Sequence, residues 1–249
     1  MVFPPLSWYT IVMTCPDMQK RLRRFATREK AMVLQRFFKT GTGQYGEGDK
    51  FLGVVVPDLR RVMKEFRDAP LSEVTKLLRS PWHEDRLLAL LILVDQFERG
   101  DDKLRAGIYS LYLKNTRYIN NWDLVDLTAP KIVGAHLDGG SRSLLYRFAR
   151  SGNLWERRIA IIATFHFIRQ DEFGDTLALS EALLQDEHDL MHKAVGWMLR
   201  EVGKRDQRAL EGFLKKHHAA MPRTALRYAI ERFPEAKRKK YLKGQIERA

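Results

Sequence analysis

The stretch Leu87-Leu88-Ala89-Leu90-Leu91-Ile92-Leu93-Val94 decides the fold class of this 249-residue chain. Successive residues of a helix are turned by roughly 100°, so this run forms an apolar stripe too wide for a helix with one solvated face. The stretch therefore predicts a helix that is largely buried in a core.

Apolar residues recur at helical spacing over most of the remaining chain, and alternating strand patterns of useful length are lacking. The breaks are short and carry glycine or proline, as at Ser80-Pro81 and Gly139-Gly140. This pattern predicts an all-α protein. The predicted helices cover about residues 57–67, 72–79, 83–98, 102–114, 141–150, 155–168, 172–184, 188–202, 206–217 and 222–231.

Short turns between helices of this length favour antiparallel pairs that stack as a helical-repeat solenoid. Predicted pairs begin near residues 72, 102, 141, 172 and 206. A compact irregular bundle is the alternative. In a curved solenoid, distant repeats would bring Trp122, Arg158 and Trp197 together in one groove on the concave face.

The charge of the chain points to an anionic partner. Lys and Arg number 44 against 31 Asp and Glu, a formal net charge of +13. The basic residues concentrate at the two ends: Asp17–Lys39 carries a net charge of +6 and Lys204–Ala249 one of +9. Nucleic acid is the commonest partner of such a chain, and plain solubility is the alternative explanation.

Residues 1–16 are apolar and uncharged, and they are too short to span a bilayer. We expect a loosely attached N-terminal extension, a single helical domain over residues 17–249, no membrane partner and a cytoplasmic location. Cys15 is the sole cysteine, and His188 and His192 lack the Glu of a zinc-protease helix. No metal and no cofactor is expected.

Asn120-Asn121-Trp122-Asp123-Leu124-Val125-Asp126 carries the clearest chemical signal. Trp122 and Asp126 are four residues apart, so they share one face of a helix. An exposed pair of this kind can hold a flat or cationic group against the ring while the carboxylate stabilises positive charge. The alternative is structural, with Trp122 as a core anchor and the acids as caps or solvent-facing residues.

Three further clusters also combine aromatic with charged residues. They are Asn153–Arg158, Lys193–Glu201, where Gly196 permits close approach of another backbone, and the basic segment Pro222–Tyr228. The glycine-rich stretch Thr40–Gly53 is a flexible loop or a segment that closes over a ligand. The candidate DNA-binding residues are Tyr45, Arg157, Arg158, Arg200, Arg223 and Arg227.

Several ordered motifs together resemble DNA alkylation repair proteins of the AlkD type, which are DNA glycosylases built from HEAT-like repeats. The similarity covers roughly residues 17–243, and it implies a HEAT-like helical-repeat solenoid with a concave DNA-binding cleft. The matching segments are Phe51-Leu52-Gly53-Val54 with Pro57 and Arg60-Arg61, Trp122–Asp126, Trp155–Ala160 and Lys193–Glu201.

The resemblance implies removal of cationic N3- or N7-alkylated purines from double-stranded DNA without base flipping. It implies that Asp126 is the catalytic carboxylate, that Trp122 and Trp197 contact the lesioned nucleotide, and that Arg158 contacts DNA. We expect a monomer that is associated with the nucleoid when bound to DNA. The alternative is a non-catalytic helical-repeat module that binds nucleic acid or protein. Val55 replaces the family's Gln, which we expect to alter substrate preference or activity.

Overall fold

The computed structural model describes residues 13–246, and over this range the chain is helical, with no strand beyond an isolated bridge between Lys50 and Trp82. The predicted all-α class is confirmed. The chain divides into two compact units, an N-terminal unit that ends at Arg99 and a C-terminal unit that begins at Gly100. The assignment of residues 17–249 to one domain stays a prediction. No helix among the described residues is long and apolar enough to cross a membrane.

The N-terminal unit is built around one buried helix. Its helices are α1 (Cys15–Arg23), α2 (Arg28–Phe37), α3 (Val56–Glu65), α4 (Leu71–Leu78) and α5 (His83–Arg99). Every residue from His83 to Val94 is buried, as the apolar run predicted. Helices α3 and α4 pack against α5, and α1 packs against both of them.

The predicted N-terminal extension lies outside the described residues as far as residue 12. Its last two residues, Cys15 and Pro16, instead form the first turn of α1. Thr14 and Asp17 cap this helix reciprocally, and the backbone N–H of Cys15 donates to Glu73 at 2.9 Å. The helix therefore begins two residues before the predicted domain boundary.

The glycine-rich segment Thr40–Gly53 contains turns and no helix. Its end is tied to α5, because the carboxylate of Glu84 accepts the backbone N–H groups of Leu52 and Gly53 at 2.8 Å each. Asp49 accepts from Arg86 at 2.7 Å within the same buried group. The segment is therefore anchored to the core of the unit at its C-terminal end.

The C-terminal unit contains the remaining helices, of which α9 and α12 are central because most of the others pack against one or both of them. They are α6 (Asp102–Lys114), α7 (Trp122–Asp126), α8 (Ser143–Ala149), α9 (Leu154–Ala163), α10 (Phe165–Ile168), α11 (Gly174–Ala182), α12 (Asp189–Arg205), α13 (Gln207–His217), α14 (Arg223–Ala229) and α15 (Glu235–Leu242), with a 3₁₀ turn over Thr116–Tyr118 and a π-helical turn over Pro130–Gly134.

The predicted helix pairs that begin near residues 72, 141 and 172 are present, since α4 packs on α5, α8 on α9 and α11 on α12. The pair that begins near residue 102 differs from a simple hairpin. Its second member is broken into α7 and the π-helical turn that starts at Pro130. Proline has no N–H and clashes with the preceding turn, so it interrupts regular α-helix at this point.

Candidate active site

Helix α7 presents Trp122 and Asp126 on one face. The side chain of Asn121 accepts the backbone N–H of Trp122 at 2.8 Å and thereby caps the helix. Leu124 and Val125 are completely buried and attach the helix to the core, while Trp122 and Asp126 are only partly buried. The predicted shared face is therefore present, and Trp122 is not a fully buried core anchor.

Asp126 forms a bidentate ion pair with Arg158 of α9. The Nε of Arg158 donates to one carboxylate oxygen at 2.8 Å and its Nη2 donates to the other at 2.7 Å. A guanidinium and an ionised carboxylate match each other in this planar arrangement. The side chain of Asp126 keeps 14% of its surface exposed, whereas Arg158 is 4% exposed.

Arg158 also connects this pair to α12. Its Nη1 donates to the backbone carbonyl of Leu190 at 2.5 Å. Trp197 lies seven residues later on the same helix, two turns along and on nearly the same face. The structure thus joins α7, α9 and α12 through one arginine, and two of these helices carry the candidate tryptophans.

Burial raises the pKa of the Asp126 carboxyl above the ordinary aspartate value, and the positive charge and hydrogen bonds of Arg158 oppose this increase. The neighbouring Asp123 adds to the increase because its charge repels a second negative charge nearby. A carboxyl with a perturbed pKa beside an accessible surface is a recognised feature of catalytic sites.

Trp197 is fixed by Glu201, one turn further along α12. The indole Nε1–H donates to Glu201 Oε1 at 3.0 Å. Glu201 is buried and also accepts from Lys204, at 2.8 Å to each of its oxygens, and from Arg200 at 3.3 Å. Glu201 is not among the residues that the sequence predicts for the site, although its spacing of four residues from Trp197 places the two on one helical face.

Gly196 allows α12 and α14 to pack closely. A Cβ atom at this position would lie 2.5 Å from the carbonyl oxygen of Ala225 and 2.6 Å from the Cβ of Tyr228. The predicted close approach of another backbone to Gly196 is confirmed. This contact sets how closely α14 packs against α12.

The remaining candidate DNA-binding residues differ in whether they form ion pairs within the protein. Arg157 pairs with Asp186 at 2.6 Å and donates to the carbonyl of Ser151, and Arg200 pairs with Glu231 as well as Glu201. These two arginines already have carboxylate partners in the protein.

Arg223 and Arg227 lie one turn apart on α14, and both are exposed. Neither forms an ion pair with any residue in the described range 13–246. Tyr45 belongs to the N-terminal unit, where it is half-buried and its hydroxyl donates to the carbonyl of Phe37 at 3.5 Å. The DNA-contacting roles of all these residues stay predictions.

The fold is that of a helical-repeat protein, and the largely buried pair of Asp126 and Arg158 marks its candidate active site. The chain belongs to the DNA alkylation repair enzyme family, whose model matches residues 18–233. Its role is accordingly in the repair of alkylated DNA.

A solved structure, described as a predicted DNA alkylation repair enzyme from Enterococcus faecalis, is similar to the chain with a TM-score of 0.66. The two are 16% identical, and the match covers 84% of this chain and 97% of the other. At this identity the likeness demonstrates a shared fold. No curated protein matches the sequence at a significant level.

Proposed function

We propose that this protein is a DNA glycosylase that hydrolyses the N-glycosidic bond of cationic N3- or N7-alkylated purines in duplex DNA. The observation that carries the proposal is the Asp126 carboxylate, which is largely buried, is held by Arg158 and keeps an exposed edge one turn from the half-buried Trp122. Membership of the DNA alkylation repair enzyme family supports alkylated DNA as the substrate.

A single carboxylate suits this reaction. Cleavage of a glycosidic bond develops positive charge on the sugar, and ordinary glycosidases add a second carboxyl group to protonate the leaving group. An alkylated purine already carries a positive charge, so it departs as a neutral base without an acid. Asp126 then stabilises the sugar cation and orients the attacking water.

Arg158 holds the carboxylate in place for this task. Three of its N–H groups are used by Asp126 and the Leu190 carbonyl, which leaves little of the buried guanidinium for other contacts. We infer that Arg158 orients Asp126, and the DNA contact that the family resemblance implies for Arg158 stays a prediction. A fixed carboxylate needs no reorganisation when charge develops on the sugar.

The two tryptophans supply the surface against which the nucleotide rests. Trp122 and Trp197 are both half-buried, so each exposes part of its ring. Indole faces attract cationic groups by about 0.5–2 kcal/mol, depending on desolvation. Contact with the sugar and backbone in this way is compatible with excision in which the base is not flipped into a pocket.

The test is release of 7-methylguanine and 3-methyladenine from methylated duplex DNA by the wild type, Asp126→Asn and Asp123→Asn. We expect Asp126→Asn to lower the single-turnover rate by about 100- to 1000-fold, the usual effect of removing one electrostatic stabiliser. Asp123→Asn is the matched control, since Asn retains the oxygen that accepts the Leu124 N–H. If the wild type binds DNA but releases no base, the protein is a non-catalytic binding module. Full activity of Asp126→Asn would refute the site.

A further inference from the structure

The candidate carboxylate lies at the end of a very short helix. Helix α7 has five residues, and Asp126 is the last of them. Isolated helices shorter than about 12 residues are marginal in water. The regular helix cannot continue either, because Pro130 has no N–H to donate to the Asp126 carbonyl four residues earlier, and a π-helical turn begins at this proline. The orientation of Asp126 therefore depends on contacts made from outside α7.

Thr128 closes the last turn of α7 with two hydrogen bonds. Its backbone N–H donates to the Val125 carbonyl at 3.1 Å, and its hydroxyl donates to the Leu124 carbonyl at 2.5 Å. Leu124 and Thr128 are completely buried, so water cannot take the place of the hydroxyl. A buried carbonyl that loses its donor destabilises the structure around it. The Thr128 hydroxyl is therefore needed to hold this turn.

A second buried hydroxyl, from α6, completes the arrangement. The hydroxyl oxygen of Tyr112 lies 3.0 Å from Thr128 Oγ1, and Tyr112 is also completely buried. Thr128 has one hydroxyl proton and gives it to the Leu124 carbonyl, so Tyr112 is the donor between the two hydroxyls. The resulting chain of hydrogen bonds runs from Tyr112 through Thr128 to Leu124 and joins α6 to α7. We call Tyr112 and Thr128 the hydroxyl relay.

The hydroxyl relay is close to Asp126. The bond from Thr128 to Leu124 links residues on either side of Asp126, which is midway between them in the chain. Burial raises the pKa of the Tyr112 hydroxyl, and the negative charge of Asp126 raises it further. The phenol therefore stays protonated near neutral pH and remains a hydrogen-bond donor.

We propose that the hydroxyl relay positions Asp126 against Arg158 for the glycosylase reaction, without itself contacting DNA. The proposal rests on the proposed function, from which it takes the reaction. Arg158 donates to both carboxylate oxygens, so a rotation of the last turn of α7 would break one or both of these bonds. Misplacement of a reacting group by about 1 Å can lower a rate about 100-fold. Tyr112 and Thr128 are thus positioning residues that act through Asp126.

Three variants test the relay. Tyr112→Phe and Thr128→Val each remove one hydroxyl and keep nearly the same side-chain shape, and Thr128→Ser is the conservative variant that keeps the hydroxyl. The matched control is Thr75→Val in α4, because the Thr75 hydroxyl also donates to the carbonyl four residues earlier, that of Leu71, at 2.6 Å. Thermal melting followed by circular dichroism checks that each variant is folded.

The first measurement is single-turnover base release from methylated duplex DNA at saturating protein, with DNA affinity measured separately by fluorescence anisotropy. Thr128→Val should lower the rate about 10- to 100-fold at wild-type affinity. Tyr112→Phe should lower it by a smaller factor, because Tyr112 reaches α7 only through Thr128. Thr128→Ser and Thr75→Val should stay within about twofold of the wild type.

The second measurement is the pH dependence of that rate, which a purely structural role would not change. Asp126 is influenced by the positive charge of Arg158, the negative charge of Asp123 and the nearby neutral Tyr112. The guanidinium lowers the pKa of Asp126, so a weaker pair raises that pKa. The loss of activity on acidification should therefore move to a higher pH in Thr128→Val and stay in place in Thr75→Val.

Wild-type rates in both Tyr112→Phe and Thr128→Val would overturn the proposal. A slower rate with an unmoved pH profile would overturn it as well, because the relay would then stabilise the fold without positioning Asp126. If the wild type releases no base, the glycosylase proposal fails. Carbon NMR of isotope-labelled aspartate then decides the positioning role alone, since the pKa of Asp126 should still be higher in Thr128→Val than in the wild type, and an equal pKa would refute it.

Discussion

Removal of Arg158 should both destabilise the protein and expose the role of its pair with Asp126. Arg158→Met keeps the length of the side chain but removes the guanidinium, which makes two hydrogen bonds to Asp126 and one to the Leu190 carbonyl. The carboxylate would then remain largely buried without a counter-charge. Loss of one member of a buried ion pair costs about 3–5 kcal/mol of unfolding free energy.

The expected change is large enough to measure by thermal or urea unfolding. At about 2–4 °C per kcal/mol for a chain of this size, Arg158→Met should lower Tm by about 6–20 °C. Arg150→Met is the matched control, because Arg150 is exposed on the same unit. Its effect should stay within about 0.5 kcal/mol.

A double-mutant cycle identifies the cause. Asp126→Asn removes the buried charge that Arg158→Met leaves unpaired, so the double variant should be more stable than the sum of the single effects by about 1–3 kcal/mol. A penalty below about 1 kcal/mol for Arg158→Met, or additive effects in the cycle, would show that the pair does not hold the site together.

The pH dependence gives an independent check on the same variant. Well below the ordinary aspartate pKa, the Asp126 carboxyl is protonated in both the folded and the unfolded chain, so the penalty of Arg158→Met should be small. Without the guanidinium, the folded-state pKa rises further above the unfolded value. The penalty relative to the wild type should therefore grow as the pH rises from the folded-state pKa of Asp126 in the wild type toward its higher folded-state pKa in the variant, and it should level off above the latter. A penalty that is independent of pH would contradict this account.

Because burial raises the pKa of Asp126, base release should fall on acidification at a higher pH than for an ordinary aspartate, and single-turnover rates against pH test this. Glu201→Ala should lower the single-turnover rate of base release more than it changes DNA affinity. Glu201→Gln keeps an oxygen that accepts from the Trp197 indole, so it should retain most of the wild-type rate. The same rate in Glu201→Ala as in Glu201→Gln would exclude a positioning role for Glu201. Gly196→Ala should destabilise the protein by about 1–3 kcal/mol in urea unfolding, because the added Cβ would clash with α14. The control is Gly212→Ala, in the middle of a helix with open space around it, which should be neutral or stabilising by up to about 1 kcal/mol.

The elements that the sequence predicted best are those with a strong local pattern. The apolar run in α5 predicted a buried helix, and all of His83–Val94 is buried. The motif Trp122–Asp126 predicted a shared helical face, which α7 provides. The prediction was less exact at the N-terminus, where Thr14 and Asp17 start a helix before the expected boundary. Caps involve only a few polar atoms, so their signal is weaker than that of a long apolar stripe.

The ion-pair partners of the charged side chains were harder to predict from the sequence. Arg157 and Arg158 are adjacent in the sequence and were both assigned to DNA. In the structure, Arg157 pairs with Asp186 and Arg158 pairs with Asp126. Both partners are 29 or more residues away along the chain, so sequence spacing cannot reveal them. Only the packing of α9 against its neighbours brings these carboxylates within hydrogen-bonding distance.

Local sequence is enough to predict the helical class, the burial of α5 and the face shared by Trp122 and Asp126, because helical periodicity depends on residues within a few positions of one another. Long-range packing establishes that Asp126 pairs with Arg158, that Glu201 binds the Trp197 indole and that Met32, Val33 and Phe37 of α2 are exposed. Ion pairs and exposure depend on how helices pack across long stretches of chain, and that packing sets the distances on which burial and charge pairing depend.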